Sequence, residues 1–305
     1  MSSANANSGG APLAGNINVA LGKGELPTAT LSHPSGASCE VVLTGAHVTS
    51  WKTRDGIERL FVSSASGFGP GVAIRGGIPV CFPQFSGRGD LPKHGFVRTS
   101  DAWEIETMSS EGDACTLVLT LTDSEATRAV WPHKFTLRYS VVLTADRLDT
   151  SMQVVNLGDE ALVFSAALHT YFAVADVTAA RVAGLGGLTY EDNAAGGACA
   201  VEEPHEELSL RGEVDRVYRD APPVVQLRQH GLAPSSSERL MIRKSDSFRD
   251  VVLWNLGEAK AAGMKDLGEG QWQQYVCLEA GAISTPVKLE PGASFEGTQS
   301  FACEP

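Results

Sequence analysis

The chain has 305 residues, and its 36 aspartates and glutamates outnumber its 24 lysines and arginines, which leaves a net charge of −12. An acidic chain of this kind lacks the broad positive face with which proteins hold nucleic acids or anionic membrane surfaces. We therefore expect neither of these partners. At this length, with 43% hydrophobic residues, the chain can bury a large core without disulfide bonds.

The N-terminal segment, residues 1–16, is rich in Ser, Ala, Asn and Gly and has no basic stretch followed by an apolar one. It is therefore not a secretory signal, and we predict a disordered lead-in before one domain over residues 17–305. No apolar run reaches the roughly 18 residues of a membrane span. The six cysteines have neither CxxC pairs nor the spacing of a metal site. They are expected to be reduced core thiols of a cytoplasmic protein.

Short segments rich in β-branched residues recur from about Leu31 to the C-terminus and predict strands. The predicted strands are 39–43, 59–62, 115–122, 135–143, 148–155, 162–168, 224–228, 240–243, 251–254, 275–279 and 295–302. A short polar connection joins 135–143 to 148–155, so these two are expected to form a hairpin.

Helical signals are confined to two short segments. Ser124 is a plausible N-cap for a helix that ends before Trp131-Pro132, and residues 258–266 could form one more turn. Many short strands, few helices and no internal repeat predict an all-β sandwich or barrel.

The densest run of candidate functional residues is the segment 75–98, RGGIPVCFPQFSGRGDLPKHGFVR. Its glycines and prolines exclude a regular central strand, so we predict an irregular loop that holds Arg75, Gln84, His94 and Arg98 in place. Guanidinium groups match phosphate or carboxylate geometry, so the two arginines could bind an anion. Ion pairs that brace the loop would explain the same two residues.

Three further residues could carry chemistry. His169 follows the apolar run LVFSAAL and could be a general acid or a hydrogen-bonded core histidine. Glu279 closes the apolar run YVCLE and could be a general base with a raised pKa or half of a buried ion pair. Asp215 could hydrogen-bond a ligand rich in hydroxyl groups or lie in a solvated turn.

Five segments in this order, RGGIPVCFPQF, LPKHGFVR, ALHTYF, EVDRVY and VCLEAG, resemble the hexose-6-phosphate mutarotase branch of the aldose 1-epimerase (galactose mutarotase-like) family. The resemblance runs from about Leu31 to Phe301 and is not clear between residues 173 and 210. It implies a large, mostly antiparallel β-sandwich with a sugar cleft on one concave face. No role for Arg88 follows from it.

The same resemblance implies roles for individual residues. His169 and Glu279 would be the catalytic pair, and Arg75 and Arg98 would bind the 6-phosphate. The remaining sugar-binding residues would be Gln84, His94 and Asp215.

The implied activity is interconversion of the α and β anomers of a hexose 6-phosphate. This chemistry needs no cofactor, we expect no metal, and a monomer is the default expectation. Glucose 6-phosphate is the expected substrate. Two other classes stay open at this stage. One is a non-catalytic carbohydrate-binding protein, and the other is a lyase or hydrolase with a metal ion held by His94, His169 and Glu279.

Overall fold

The computed structural model describes residues 15–197, 200–232 and 237–304. Most of the predicted lead-in, residues 1–14, lies outside these ranges, and the first strand already begins at Asn16. No helix in the described part of the chain is long and apolar enough to cross a membrane. Cys199 is also outside, and Cys39, Cys81, Cys115 and Cys277 are buried free thiols.

Strands dominate the described residues. They are β1 (Asn16–Leu21), β2 (Pro27–Ser32), β3 (Ser38–Val42), β4 (His47–Lys52), β5 (Val80–Cys81), β6 (Glu104–Glu111), β7 (Ala114–Thr122), β8 (Phe135–Leu143), β9 (Arg147–Asn156), β10 (Leu162–Leu168), β11 (Tyr171–Ala173), β12 (Arg181–Ala183), β13 (Thr189–Asp192), β14 (Ala200–Glu202), β15 (Glu207–Ser209), β16 (Val214–Tyr218), β17 (Val224–His230), β18 (Ser237–Lys244), β19 (Asp250–Asn255), β20 (Tyr275–Leu289) and β21 (Ser294–Glu304). The α-helices are α1 (Glu125–Val130) and α2 (Gly257–Ala261), and single 3₁₀ turns occupy Lys23–Glu25, Thr44–Ala46, Val97–Thr99 and Gln271–Gln274.

The strands form three antiparallel sheets. One has the order β1-β2-β3-β4, and a nine-stranded sheet has the order β15-β12-β17-β18-β21-β9-β8-β7-β6. The eight-stranded sheet has the order β14-β13-β16-β19-β20-β10-β5, with β11 also paired to β20. The predicted all-β, mostly antiparallel sandwich is therefore confirmed.

Local sequence signals were mostly correct. Strands β8 and β9 form the predicted hairpin, with Leu143 opposite Leu148. Helix α1 has the predicted N-cap, because Ser124 and Thr127 exchange side-chain-to-backbone hydrogen bonds in a capping box.

Some predictions were incomplete or wrong. The predicted strand at 59–62 is not a strand, because Leu60 and Val62 make isolated bridges to different partners, Phe172 and Gly76. Strand β1 precedes the predicted start of the strands near Leu31, and strand β2, which contains Leu31, begins earlier at Pro27. The stretch 173–210 contains β12 to β15, four short strands that extend the edges of the two large sheets.

The main core lies between the two large sheets. Phe172 of β11 meets Phe301 of β21 edge-on at 4.9 Å, and Phe164 of β10 meets Phe295 of β21 at 5.4 Å. Strands β7 to β9 alternate buried and partly exposed residues, as expected when one face of a sheet packs on the core.

The eight-stranded sheet differs because its central strands are buried on both faces. The first nine residues of β20 are all buried, and so is nearly all of β10. One face packs on the nine-stranded sheet. The other is covered by the loop 75–98 and by aromatic side chains, and this covered face carries the candidate site.

Candidate active site

The loop 75–98 is irregular, as predicted, apart from the two-residue edge strand β5, and two of its glycines are required by close backbone contacts. Gly77 and Gly95 have positive φ angles of 63° and 71°. A Cβ atom at Gly77 would lie 2.1 Å from the carbonyl oxygen of Val48, and one at Gly95 would lie 1.9 Å from that of Phe82. Because both contacts are with backbone, only glycine fits. Gly77 thereby packs closely on strand β4, and Gly95 packs on the backbone of the same loop beside β5.

His169 lies in the two-residue break between β10 and β11, directly opposite Glu279 on β20. Leu168 pairs with Ala280 before the break, and Tyr171 pairs with Cys277 after it. Both pairs belong to the same register between the two strands and β20. That register places His169 across from Glu279. The imidazole Nδ1 lies 3.3 Å from the Glu279 Oε1 atom.

The loop holds the break in place through backbone hydrogen bonds. The amide of His169 donates to the carbonyl of Pro79 at 3.0 Å, and that of Tyr171 donates to the carbonyl of Gly77 at 2.9 Å. The His169 ring stacks on Tyr171 with a centroid separation of 4.7 Å. The backbone of His169 and its imidazole ring are therefore both held in place, as a group that transfers a proton must be.

Burial shifts the pKa values of this pair in opposite directions. It raises the pKa of the Glu279 carboxyl, and the nearby Asp215 raises it further. Burial also lowers the pKa of His169, and His94, Arg75 and Arg98 act in the same direction. Both shifts therefore disfavour the charged form of the side chain concerned. The Nδ1 atom of His169 and the Oε2 atom of Glu279 are buried without a hydrogen bond.

His94 approaches the same point from the loop, with its ring 5.4 Å from that of His169. Burial, followed by the charge of Arg98, lowers the pKa of His94 to about 3, so its imidazole is neutral near pH 7. The Ser86 amide donates to His94 Nδ1 at 3.3 Å. Because Nδ1 accepts this hydrogen bond, the neutral ring carries its proton on Nε2 and can donate it to a ligand oxygen.

A positively charged pocket of about 200 Å³ opens beside His169. It is lined by Arg75, Lys93, Arg98 and one acidic residue, Asp266, as well as by both histidines and Tyr171. The structure thus brings together the two predicted arginines from opposite ends of the loop. Lys93 was overlooked in the sequence, although it directly precedes His94 in the segment LPKHGFVR.

The two arginines are held differently. Both the Nε and Nη2 atoms of Arg75 donate to Asp266 Oδ2, at 3.0 and 2.8 Å, and its Nη1 atom donates to the Tyr171 hydroxyl at 3.3 Å. Arg98 donates through Nη2 to the Lys93 carbonyl at 3.1 Å, and its buried Nε atom has no hydrogen-bond partner. The ion pair that the sequence left open therefore exists for Arg75, and it lies inside the pocket.

Three predicted site residues do not line this pocket: Glu279, which lies against His169, and also Asp215 and Gln84. Asp215 is on strand β16, opposite Trp254, and accepts a hydrogen bond of 2.8 Å from Asn193. Burial raises the pKa of Asp215, and the hydrogen bond from Asn193 opposes that shift. The side-chain amide of Gln84 forms hydrogen bonds with the loop backbone. It donates to the carbonyls of Ser86 and Leu91 and accepts from the Leu91 amide. Its observed contacts brace the loop.

Arg88, for which the sequence suggested no role, is also outside the pocket. Its Nη2 atom lies 2.6 Å from the Glu191 carboxylate on β13. Glu191 also pairs with Arg219. Arg88 therefore ties the tip of the loop to the edge of the eight-stranded sheet.

Comparisons with known proteins identify the family of this chain. The profile of the aldose 1-epimerase family matches residues 27–302. A protein of Cenchrus ciliaris that carries the provisional name glucose-6-phosphate 1-epimerase is 33% identical over 274 residues, which cover 87% of this chain and 81% of that protein. An Escherichia coli K12 protein with the same provisional name is 30% identical over 273 residues, covering 87% and 86% of the two chains.

Solved structures are similar as well. A provisionally named mutarotase of Salmonella typhimurium has a TM-score of 0.82 at 27% identity, over 91% of this chain and 90% of that one. The galactose 1-epimerase of Lactobacillus acidophilus NCFM has a TM-score of 0.70 at 16% identity, over 95% and 98% of the chains, and supports the fold alone. These similarities favour neither a non-catalytic sugar-binding protein nor a metal-dependent lyase or hydrolase.

Proposed function

The chain belongs to the aldose 1-epimerase family, whose activity is the interconversion of sugar anomers, and on this premise we propose that its substrate is a hexose 6-phosphate. Glucose 6-phosphate is the first candidate, since it appears in the provisional names of the plant and bacterial relatives.

The observation that carries this proposal is the set of three cations beside the proposed catalytic pair. Arg75, Lys93 and Arg98 line one pocket together with His169. A free hexose has no group that requires three positive charges, whereas a phosphate monoester carries close to two negative charges near pH 7. Guanidinium groups can bind its oxygens bidentately. In an acidic protein, such a local cluster acts over the screening length of about 8 Å, where the distant net charge matters little.

The proposed reaction opens and closes the sugar ring by general acid and base catalysis. In the reacting form of the pair the proton is on His169. The Glu279 carboxylate takes the proton of the C1 hydroxyl, and the His169 imidazolium gives a proton to the ring oxygen as the bond between C1 and that oxygen breaks. The open chain has an aldehyde at C1. After rotation about the C1–C2 bond, the ring closes on the other face, and both proton transfers are reversed. Each group, when well placed, contributes about 10²- to 10⁴-fold to the rate.

The other residues would bind and orient the substrate. His94 donates from Nε2 to a sugar oxygen, and Asp215 accepts from a sugar hydroxyl. The phosphate held by the cations supplies binding energy away from the reacting atoms, which orients the ring for proton transfer.

Bound phosphate is also expected to change the pKa of His169, the proposed general acid. Burial is the main reason why the pKa of His169 is low, and the charges of Arg75 and Arg98 lower it further. A phosphate between these guanidinium groups offsets their charge, so the imidazole accepts a proton more readily. We therefore expect a sugar phosphate to have a higher kcat than the corresponding free hexose, in addition to a lower KM.

Exchange spectroscopy by NMR on an equilibrium mixture of α- and β-glucose 6-phosphate tests the proposal. We expect protein-dependent exchange between the anomeric protons, with galactose 6-phosphate and free glucose as comparison substrates. Exchange confined to free hexoses would contradict the phosphate assignment and leave only the general anomerase activity.

A further inference from the structure

A thiol lies next to the proposed catalytic pair and takes no part in the proposed reaction. Cys277 is two residues before Glu279 on β20, so both side chains point to the same face of the sheet. One ligand atom each from His169, Cys277 and Glu279 lies within 4.8 Å of the other two. The three side chains are almost fully buried, with exposed fractions of 7%, 0% and 1%.

The donors are available and suit one class of metal ion. The Nδ1 atom of His169 and the Oε2 atom of Glu279 are buried without a hydrogen bond, which is costly unless something binds them. Imidazole, thiolate and carboxylate together are typical ligands of Zn²⁺, whereas Mg²⁺ and Ca²⁺ prefer oxygen alone. A neutral imidazole, a thiolate and a carboxylate also balance the charge of one divalent cation, so the buried complex is neutral.

The surroundings hold these donors in place. Tyr171 and Trp254 are opposite Cys277 on the two neighbouring strands, and their rings contact the His169 ring at 4.7 and 5.5 Å. Of the cations nearby, Arg75 is already paired with Asp266. Tetrahedral Zn²⁺ keeps its ligand atoms about 3.5 Å apart, so the widest separation needs to close by roughly 1 Å. Metal binding would require side-chain rotations of this size, and the metal would enter through the pocket that reaches His169.

We propose that His169, Cys277 and Glu279 form a binding site for Zn²⁺ that inhibits the enzyme. As the three bonds to the metal form, the thiol and carboxyl protons leave to solvent, and a water or a sugar hydroxyl completes the tetrahedron. The inhibitory effect rests on the proposed function, because the metal occupies both the acid and the base. The site itself does not depend on that function.

Titration of the purified full-length protein with Co²⁺ in place of Zn²⁺ tests the site directly. Tetrahedral Co²⁺ bound to a thiolate has a charge-transfer absorption, and we expect it to saturate at one equivalent. Cys277→Ser should abolish this absorption. Cys81→Ser is the matched control, because Cys81 is equally buried and lies 3.3 Å from the other site histidine, His94, yet should leave the absorption intact. If the parent protein shows no thiolate absorption, or if Cys81→Ser removes it, the site is overturned.

Inhibition is measured separately, as the Zn²⁺ concentration that halves anomer exchange. We expect this half-inhibiting Zn²⁺ concentration to rise about tenfold or more in Cys277→Ser, since one of three protein ligands is lost. EDTA should preserve or increase the activity of the parent protein, whereas a metal-dependent lyase or hydrolase would lose it. Because Co²⁺ absorption needs no turnover, a protein without anomerase activity would still report on the metal site. Unchanged Zn²⁺ sensitivity in Cys277→Ser would overturn the inhibitory role.

Discussion

Asp266 binds Arg75 through two hydrogen bonds of 2.8 and 3.0 Å inside the pocket proposed for the substrate phosphate. The two residues are 191 positions apart in sequence. The carboxylate orients the guanidinium, but its negative charge faces the same pocket as the incoming phosphate.

Asp266→Asn separates these two effects. The amide oxygen of asparagine can still accept from Arg75, so the orientation is kept while the repulsion of phosphate is removed. We expect KM for glucose 6-phosphate to fall several-fold in Asp266→Asn, measured by anomer exchange. Asp266→Ala, which frees Arg75 to move, should raise KM. If KM rises equally in both variants, the negative charge of Asp266 does not oppose phosphate binding.

Arg98 is expected to discriminate between phosphorylated and free sugars. Its Nε atom is buried without a hydrogen bond, so Arg98→Ala removes a guanidinium that is ready to bind an anion. KM for glucose 6-phosphate should rise about tenfold or more, as for loss of a charged hydrogen bond worth about 1.5–3 kcal/mol. Exchange on free glucose should change little. Arg88→Ala is the control, since Arg88 pairs with Glu191 outside the pocket, and an equal effect there would contradict the assignment.

Glu279→Gln should remove most of the activity without destabilising the protein. Glutamine has nearly the same shape but cannot take the C1 proton, so kcat should fall about 10²-fold or more with a modest change in KM. Because burial raises the pKa of Glu279, a neutral amide is tolerated at this position. The thermal unfolding midpoint near pH 7 should therefore stay equal or rise. A variant that keeps full kcat would rule out Glu279 as the base.

His47 should make the protein less stable in acid. The residue is 1% exposed, and its Nε2 atom lies 2.7 Å from the Gly76 carbonyl. Burial lowers its pKa to about 4, against the opposing effect of that hydrogen bond. The unfolded chain therefore binds a proton below about pH 6.5 that the folded chain does not bind until about pH 4. This stabilising contribution is complete above pH 6.5 and is lost progressively as the pH falls, by up to about 3 kcal/mol.

Urea unfolding at pH 7.5 and at pH 5 measures this loss, with His47→Gln as the comparison. The raised pKa of the buried Glu279 carboxyl acts in the opposite sense, because its contribution to stability declines as the pH rises. The informative quantity is therefore the difference between the parent and His47→Gln, which should have the weaker pH dependence. Equal pH dependence in both would mean that His47 is protonated as easily in the folded as in the unfolded chain.

Local patterns in the sequence were sufficient for the fold class. The short polar connection predicted the β8–β9 hairpin, and the N-cap residue Ser124 predicted helix α1, because these signals act between neighbours in the chain. The weaker signals failed. The segment 59–62 reads as a strand, but its partners lie on separate parts of the fold. The short strands between residues 173 and 210 depend on the edges of sheets formed elsewhere.

The sequence alone, through its resemblance to a family, also identified His169, Glu279, Arg75 and Arg98 as the residues to examine. Only the tertiary structure decided how they meet. The register across β20 sets His169 opposite Glu279 and brings Cys277 beside them, and the folded loop places Lys93 with the two arginines. These contacts join residues far apart in the chain. They arise from strand pairing and from the burial of one sheet face. Neither can be predicted from a local pattern of residues.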